Sequence, residues 1–137
     1  MTRSLCFLLL TFIVRSALAE TTGIPASVSQ VQTKIVNGQV VRIVQHNMEI
    51  NPIIQFEILS RPDFEPLQTL TVGELPYRVE TLSLRDSSGA FVEKVIVGDT
   101  HISIVFEYFF IEGQSALFEC QLPVSGKHFG SFQCSKE

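Results

Sequence analysis

The chain has 137 residues, of which 45% are hydrophobic and 18% charged, and its formal net charge is −4 at pH 7. This length supports one globular core but not two domains of ordinary size. The sequence contains no run of basic residues, whereas nucleic acids and anionic lipids require clustered Lys and Arg. The composition therefore excludes both classes as expected partners.

The first 19 residues have the three parts of a secretory signal peptide. Arg3 provides the basic start, an apolar run extends over residues 5–14, and Ala17-Leu18-Ala19 is a small-x-small cleavage site. A membrane-spanning helix needs about 20 apolar residues, roughly twice the length of this run. We therefore expect a secreted, extracellular protein without membrane insertion.

Removal of this leader determines the composition of the mature chain. The leader contains Arg3 and Arg15 but no acidic residue, so its removal lowers the number of basic residues from ten to eight. With fourteen acidic residues, the mature chain has a formal charge of −6. Residues 20–29, rich in Thr, Ser, Gly and Pro, are predicted to form a loose N-terminal lead. Residues 30–137 are predicted to form one domain.

Two cysteines remain after Cys6 leaves with the leader. Cys120 and Cys134 then lie in a chain bound for an oxidising compartment, which predicts an intramolecular disulfide. A free buried thiol and a link between two chains are the alternatives. The two cysteines do not form a Cys-x-x-Cys pair, so the expected role is structural rather than redox.

Short runs rich in Val, Ile, Phe and Thr, separated by Gly, Pro, Asn and Asp, predict strands and turns throughout the domain. Asn37-Gly38 predicts a type I′ hairpin, because both residues tolerate a positive φ. Prolines interrupt most windows long enough for a helix, so almost no helix is expected. The predicted strands are 30–36, 39–45, 53–60, 67–72, 77–85, 91–97, 101–111, 115–122 and 129–134.

These nine strands must each bury one face, which predicts an all-β antiparallel sandwich of two sheets. The run 102–111 first alternates between apolar and polar residues and then becomes apolar on both faces, which predicts a central strand. The alternative interpretation is that Val105, Phe109 and Ile111 form an exposed surface for a partner.

No pattern in the sequence predicts catalysis or metal binding. His46, His101 and His128 are scattered and have no His-x-x-x-His spacing, and His46 with Glu49 provides too few donors for a metal site. Acidic residues along the strands alternate with apolar ones, as on solvated faces, and nothing selects two of them as a glycosidase pair. We expect no enzymatic activity, no metal and no cofactor.

Four segments resemble the strands of galectins, in the same order. Residues 124–132, which follow Phe118-Glu119-Cys120, are similar to the late hairpin of that family, and residues 84–93 to the stretch that carries its Trp and Glu. Residues 37–43 and 55–58 are similar to two early strands. The resemblance covers about residues 30–134 and implies a jelly-roll sandwich.

The polar groups with which galectins bind β-galactosides are largely replaced. Their first motif would fall at Gln68, Leu70 and Val72, which do not offer the same hydrogen bonds. Ordinary β-galactoside binding is therefore not expected.

The resemblance leaves one candidate ligand-binding face. It contains the positions equivalent to the family's Asn, Trp and Glu, where a ring would stack on a sugar and charged groups would bind its hydroxyls. The face consists of Arg85, Asp86, Phe91 and Glu93.

The late hairpin conflicts with the predicted disulfide. A two-residue turn at Ser125-Gly126 places Cys120 opposite Ser131 rather than Cys134. The disulfide therefore requires either a bulge or a longer loop through residues 126–128.

The expected function is a secreted, non-enzymatic binding module that recognises a glycan or an extracellular protein. The alternative is a secreted protein-interaction or structural factor with an immunoglobulin-like sandwich. The strand order separates the two architectures.

Overall fold

The computed structural model describes residues 23–137, so the predicted leader lies outside the described residues. Between these limits the chain is all-β and has no helix. These residues therefore include no helix long and apolar enough to cross a membrane. The strands are β1 (Val28–Val36), β2 (Gln39–His46), β3 (Ile54–Leu59), β4 (Pro66–Val72), β5 (Glu74–Tyr77), β6 (Glu80–Ser83), β7 (Gly89–Val97), β8 (His101–Phe109), β9 (Ser115–Ser125), β10 (His128–Phe129) and β11 (Gln133–Lys136).

The strands form two sheets around one core. β1 to β4 form an antiparallel meander, and the second sheet has the order β6-β5-β11-β9-β8-β7, with β10 beside β9. Phe56 of the first sheet and Phe106 and Phe118 of the second are completely or almost completely buried in the same cluster. The prediction of an all-β chain with two sheets is confirmed.

The hairpin between β1 and β2 is confirmed at Asn37-Gly38. These residues have φ values of 48° and 73°, which is the left-handed region that a type I′ turn requires at both positions. The Asn37 side-chain amide donates a 2.9 Å hydrogen bond to the Val124 carbonyl at the end of β9. The turn therefore also joins the two sheets at this end of the molecule.

The strand predicted over 77–85 is wrong, because this stretch turns back on itself. β5 and β6 form a hairpin in which Tyr77 pairs with Glu80, and Arg78 has a φ of 57°. Neither turn residue, Arg78 nor Val79, is a usual turn former, so no residue type marks this turn in the sequence. Pro76 lies within β5. On the side of β11, which runs parallel to β5, the two strands pair only at Tyr77.

The disulfide between Cys120 and Cys134 is present, and a bulge resolves the conflict in the hairpin. The turn is Gly126-Lys127, since His128 pairs with Ser125, so the predicted three-residue loop is wrong. The register shifts by one residue between the pair Phe129–Val124 and the pair Gln133–Gln121. This shift places the two cysteines directly opposite each other.

β8 is an interior strand, as its apolar sequence predicts. It lies between β7 and β9, and its inward side chains at Ile102, Ile104, Phe106 and Tyr108 are buried. On the other face, the side chains of Val105 and Phe109 are only half-buried. The strand ends at Phe109, and Ile111 lies beyond it with 77% of its surface exposed.

The disulfide closes a ring between two cysteines whose sequence separation is 14. In the unfolded chain this ring restricts the conformational freedom of the residues inside it. Replacing both cysteines by alanine is expected to lower the free energy of unfolding by about 3 kcal/mol, measured by urea denaturation. A reductant should shift the wild-type midpoint toward that of the variant and leave the variant unchanged. Equal midpoints for the oxidised wild type and the variant would contradict this expectation.

Candidate functional site

A cleft of about 440 Å³ opens at one end of the sandwich, between the β2–β3 and β6–β7 connections. The first connection belongs to the four-stranded sheet and the second to the seven-stranded sheet. The cleft is lined by Met48, Glu49, Ile50, Pro52, Leu84, Arg85, Ser87, Ser88, Gly89, Ala90 and Phe91.

Hydrogen bonds hold the β6–β7 wall in place. The Ser87 hydroxyl donates to the Leu84 carbonyl at 2.7 Å, which closes the turn, and the Ser88 amide donates to the Phe109 carbonyl at 2.9 Å. The Leu84 amide donates to the Gly73 carbonyl at 2.9 Å. Since these bonds join the wall to two other parts of the chain, Arg85 projects from a fixed backbone.

The β2–β3 wall is organised around Asn47. Its side-chain oxygen accepts a hydrogen bond from the Glu49 amide, and its carbonyl accepts from the amides of Ile50 and Asn51. This is a compact turn that needs no partner from the opposite wall. It presents Glu49 and Ile50, both exposed, toward the cleft.

Phe91 forms the aromatic part of the site. Its side chain is 40% exposed, and its ring packs edge-on against Phe109 at a centroid distance of 5.9 Å. Gly89 lies beside this ring, since a Cβ atom built there would be in ordinary van der Waals contact with it at 3.4 Å. Phe91 also lines an adjoining hollow of about 280 Å³, together with Met48 and Glu49.

The cleft contains one positive and one negative side chain. Arg85 and Glu49 both line it, yet within residues 23–137 the only ion pair joins Arg42 and Glu57 on the four-stranded sheet. The guanidinium and the carboxylate are therefore both free to bind a ligand.

The structure brings together two of the four residues predicted as a ligand-binding face. Arg85 and Phe91 line the cleft, whereas Asp86 and Glu93 do not. Glu93 is exposed at a bulge in β7, where the register shifts between Val92 and Lys94. Asp86 is exposed at the β6–β7 turn.

The residues of the opposite wall were missed by sequence reasoning. Asn47 and Pro52 mark the β2–β3 connection as a turn, but no local pattern pairs it with residues 84–91. The missed lining residues with polar side chains are Glu49, Ser87 and Ser88. Only the packing of two sheets places Glu49 beside Phe91, whereas Ser87 and Ser88 belong to the same connection as Arg85.

The positions aligned with the galactoside motif of galectins take part in packing. Val72 is buried, and Leu70 packs against the core. The Gln68 side-chain oxygen accepts a 2.8 Å hydrogen bond from the Phe129 amide of β10. These side chains therefore hold the two sheets together.

His46 is buried at the end of β2, and its ring is engaged in hydrogen bonds. Nδ1 lies 3.0 Å from the Ser27 hydroxyl, and Nε2 lies 3.1 Å from the Gln55 side-chain oxygen. Both ring nitrogens thus have protein partners. In the described range 23–137, no group of three or more His, Cys, Asp or Glu residues could hold a metal ion.

No family model, curated protein or solved structure matches this chain. The likeness to galectins therefore stays a resemblance between short sequence segments. The function has to be inferred from the residues that line the cleft.

Tyr108 makes the stability of this end of the sandwich dependent on pH. Burial, and after it the charges of Asp86 and Glu112, raise its pKa above the ordinary value of 10.0. As the pH rises, the Tyr108 hydroxyl loses its proton at a lower pH in the unfolded chain than in the folded one. The contribution of Tyr108 to stability is therefore complete below pH 10 and is lost above it.

We therefore expect the urea midpoint to fall as the pH rises above 10, and to fall less in Tyr108→Phe. The variant also loses the hydrogen bond from the Tyr108 hydroxyl to the Ser83 carbonyl, which lowers its midpoint at every pH. Only the difference in slope is diagnostic. Parallel pH profiles would show that Tyr108 does not contribute to the alkaline loss.

Proposed function

We propose that this protein is a secreted, non-enzymatic binding module whose ligand is a glycan held in the cleft around Phe91. We further propose a galectin-like jelly-roll sandwich as its framework, in preference to an immunoglobulin-like one. The observation that carries the proposal is an exposed aromatic ring beside a guanidinium and a carboxylate that form no ion pair within residues 23–137.

These groups match the chemistry of a sugar. The C–H face of a pyranose is apolar and stacks on an aromatic ring, while its hydroxyls accept hydrogen bonds from Arg85 and donate them to Glu49. The cleft, at about 440 Å³, lies within the usual size of ligand sites, about 300–1,000 Å³.

The site continues beyond the cleft. Phe91, Met48 and Glu49 line both the cleft and the adjoining hollow of about 280 Å³. A ligand bound at Phe91 therefore has room beyond the cleft, which favours an oligosaccharide over a single sugar unit.

The Phe91 ring is positioned before any ligand arrives. Phe109 packs against its edge, and Gly89 lies beside it. A ring that is already fixed loses little conformational entropy on binding. A large part of the binding energy is therefore expected to come from this one side chain.

Ordinary β-galactosides are not the proposed ligand. Leu70 and Val72 stand where galectins carry polar sugar contacts, and their side chains pack against or within the core. Several missing hydrogen bonds of about 1 kcal/mol each would weaken lactose binding beyond the millimolar range.

A protein surface is the second candidate ligand. The outward face of the seven-stranded sheet exposes apolar side chains, with Ile96 at 44% and Leu117 at 38% exposure, and Phe91 lies on the same face. Exposed apolar surface of this kind is typical of protein contacts. Binding that persists in excess free sugar would favour this candidate.

Phe91→Ala is expected to weaken glycan binding by about 1–2 kcal/mol, because it removes the stacking surface. A glycan array identifies the strongest ligand, and calorimetry then compares the wild type with the variant. Ile96→Ala is the matched control, since Ile96 lies on the same strand with similar exposure and lines neither part of the site. Equal losses in the two variants, or full binding by a folded Phe91→Ala protein, would contradict the proposal.

Arg85→Gln is expected to weaken the same ligand by about 1.5–3 kcal/mol, because a charged donor contributes more than a neutral one. Arg78→Gln is the control, since Arg78 is exposed at the β5–β6 turn, over the ring of Tyr77, and does not line the cleft. Equal effects of both substitutions would indicate a response to net charge rather than a site at Arg85.

A further inference from the structure

A second hollow, of about 320 Å³, lies at the other end of β2 from the Phe91 cleft. Three connections meet there: the β1–β2 turn, the β3–β4 loop and the β9–β10 turn. It is lined by Gly38, Gln39, Val40, Leu59, Ser60, Arg61, Leu67 and Lys127.

The charges in this hollow are all positive. Arg61 and Lys127 line it and no acidic residue does, whereas the Phe91 cleft pairs Arg85 with Glu49. Asp63 and Glu65 belong to the same loop as Arg61 but do not line the hollow. Across residues 23–137 neither Arg61 nor Lys127 forms an ion pair.

The loop that carries Arg61 is closed on itself. The Ser60 amide donates to the Glu65 carbonyl at 2.8 Å, and the Phe64 amide donates back to the Ser60 carbonyl at 3.2 Å. The Ser60 hydroxyl accepts a hydrogen bond from the Glu65 amide at 3.0 Å and keeps its own proton to donate. The backbone on either side of Arg61 is therefore fixed.

The turn that carries Lys127 is fixed as well. Gly126, with a φ of 57°, takes the first central position of the turn. The flanking Val124 amide donates to the Thr100 carbonyl at 2.9 Å, and the Phe129 amide donates to Gln68 at 2.8 Å. Two positive side chains from separate parts of the chain thus project from rigid backbone into one hollow.

We propose that this hollow binds the anionic group of an acidic sugar, either a sulfate ester or a carboxylate. Arg61 and Lys127 provide charged donors, and the Ser60 hydroxyl provides a third. Leu67, which is 49% exposed, provides an apolar surface against which the ring of the sugar packs. This site is independent of the cleft around Phe91.

The geometry favours a sugar over a lipid membrane. Electrostatic attachment to an anionic bilayer uses clusters of about four to eight basic residues, so two are too few for stable attachment. A concave hollow that encloses one anionic group instead uses both charges on the same ligand.

The test uses the secreted protein and three disaccharides of the same backbone, one sulfated, one carboxylated and one neutral, measured by calorimetry at low and high salt, with vesicles that contain anionic lipid as a separate probe. We expect an acidic disaccharide to bind and the neutral one not to, and binding to weaken at high salt because the ions screen exposed charges. Arg61→Gln and Lys127→Gln are each expected to lower the affinity about tenfold, and Lys127→Arg to retain it. The carboxylated disaccharide reports whether the anion is a sulfate or a carboxylate.

Arg78→Gln is the matched control, because it removes the same charge at the exposed β5–β6 turn, outside both sites. It should leave binding of the acidic probe unchanged, whereas Phe91→Ala should affect only the ligand of the Phe91 cleft, so either site can fail without the other. Four results would overturn this proposal: equal binding of the acidic and neutral probes, binding of none of the three, an equal loss with Arg78→Gln, or binding only to vesicles that contain anionic lipid. Arg61 and Lys127 are exposed, so unchanged urea midpoints will show that the variants fold.

Discussion

The disulfide between Cys120 and Cys134 is the constraint on which the seven-stranded sheet depends. It joins β9 to β11 at a directly opposed pair, and Cys120 is completely buried. β11 has only four residues, yet it is the strand through which the β5–β6 hairpin joins the rest of its sheet. Without a covalent link, a strand this short at the end of the described chain would fray easily.

The same link determines how the core closes on that side. Cys134 pairs with Tyr77, whose ring packs edge-on against Phe118 at a centroid distance of 5.3 Å. Leu75, on the same short strand, is completely buried. The disulfide therefore holds an interior strand of the sheet, so its loss would expose core side chains as well as the chain end.

The segment between the two cysteines carries this constraint to the other sheet. From β9 the chain turns at Gly126-Lys127, and the amide of Phe129 then binds Gln68 on β4. The Phe129 ring packs edge-on against Phe56 in the core of the four-stranded sheet. One hairpin thus connects the disulfide, both sheets and the hollow that contains Lys127.

Features that depend on neighbouring residues were predictable from the sequence. The type I′ turn at Asn37-Gly38 follows from the φ preferences of two adjacent residues, and the interior position of β8 follows from its apolar run. The β5–β6 hairpin was not predictable, since Arg78 in its turn adopts a left-handed backbone that arginine rarely takes. Tertiary packing overrides local preference there.

The candidate sites were predictable only in part, because each is made by loops far apart in the sequence. Arg85 and Phe91 belong to one connection and were identified together, but Glu49 comes from the opposite sheet. Arg61 and Lys127 likewise share a hollow only because β4 and β10 are brought together. No periodicity or motif spacing in a single sequence encodes such a meeting of loops.

The two ends of the sandwich differ in charge although the chain as a whole is acidic. With the predicted leader removed, the formal charge of −6 would repel an anionic ligand at long range. At physiological ionic strength, charges more than about 8 Å apart are largely screened, so the groups inside each hollow dominate what it attracts. A surface with an overall negative charge can therefore carry a local site for an anion, provided that its basic side chains have no acidic partner, which is the condition that Arg61 and Lys127 meet among residues 23–137.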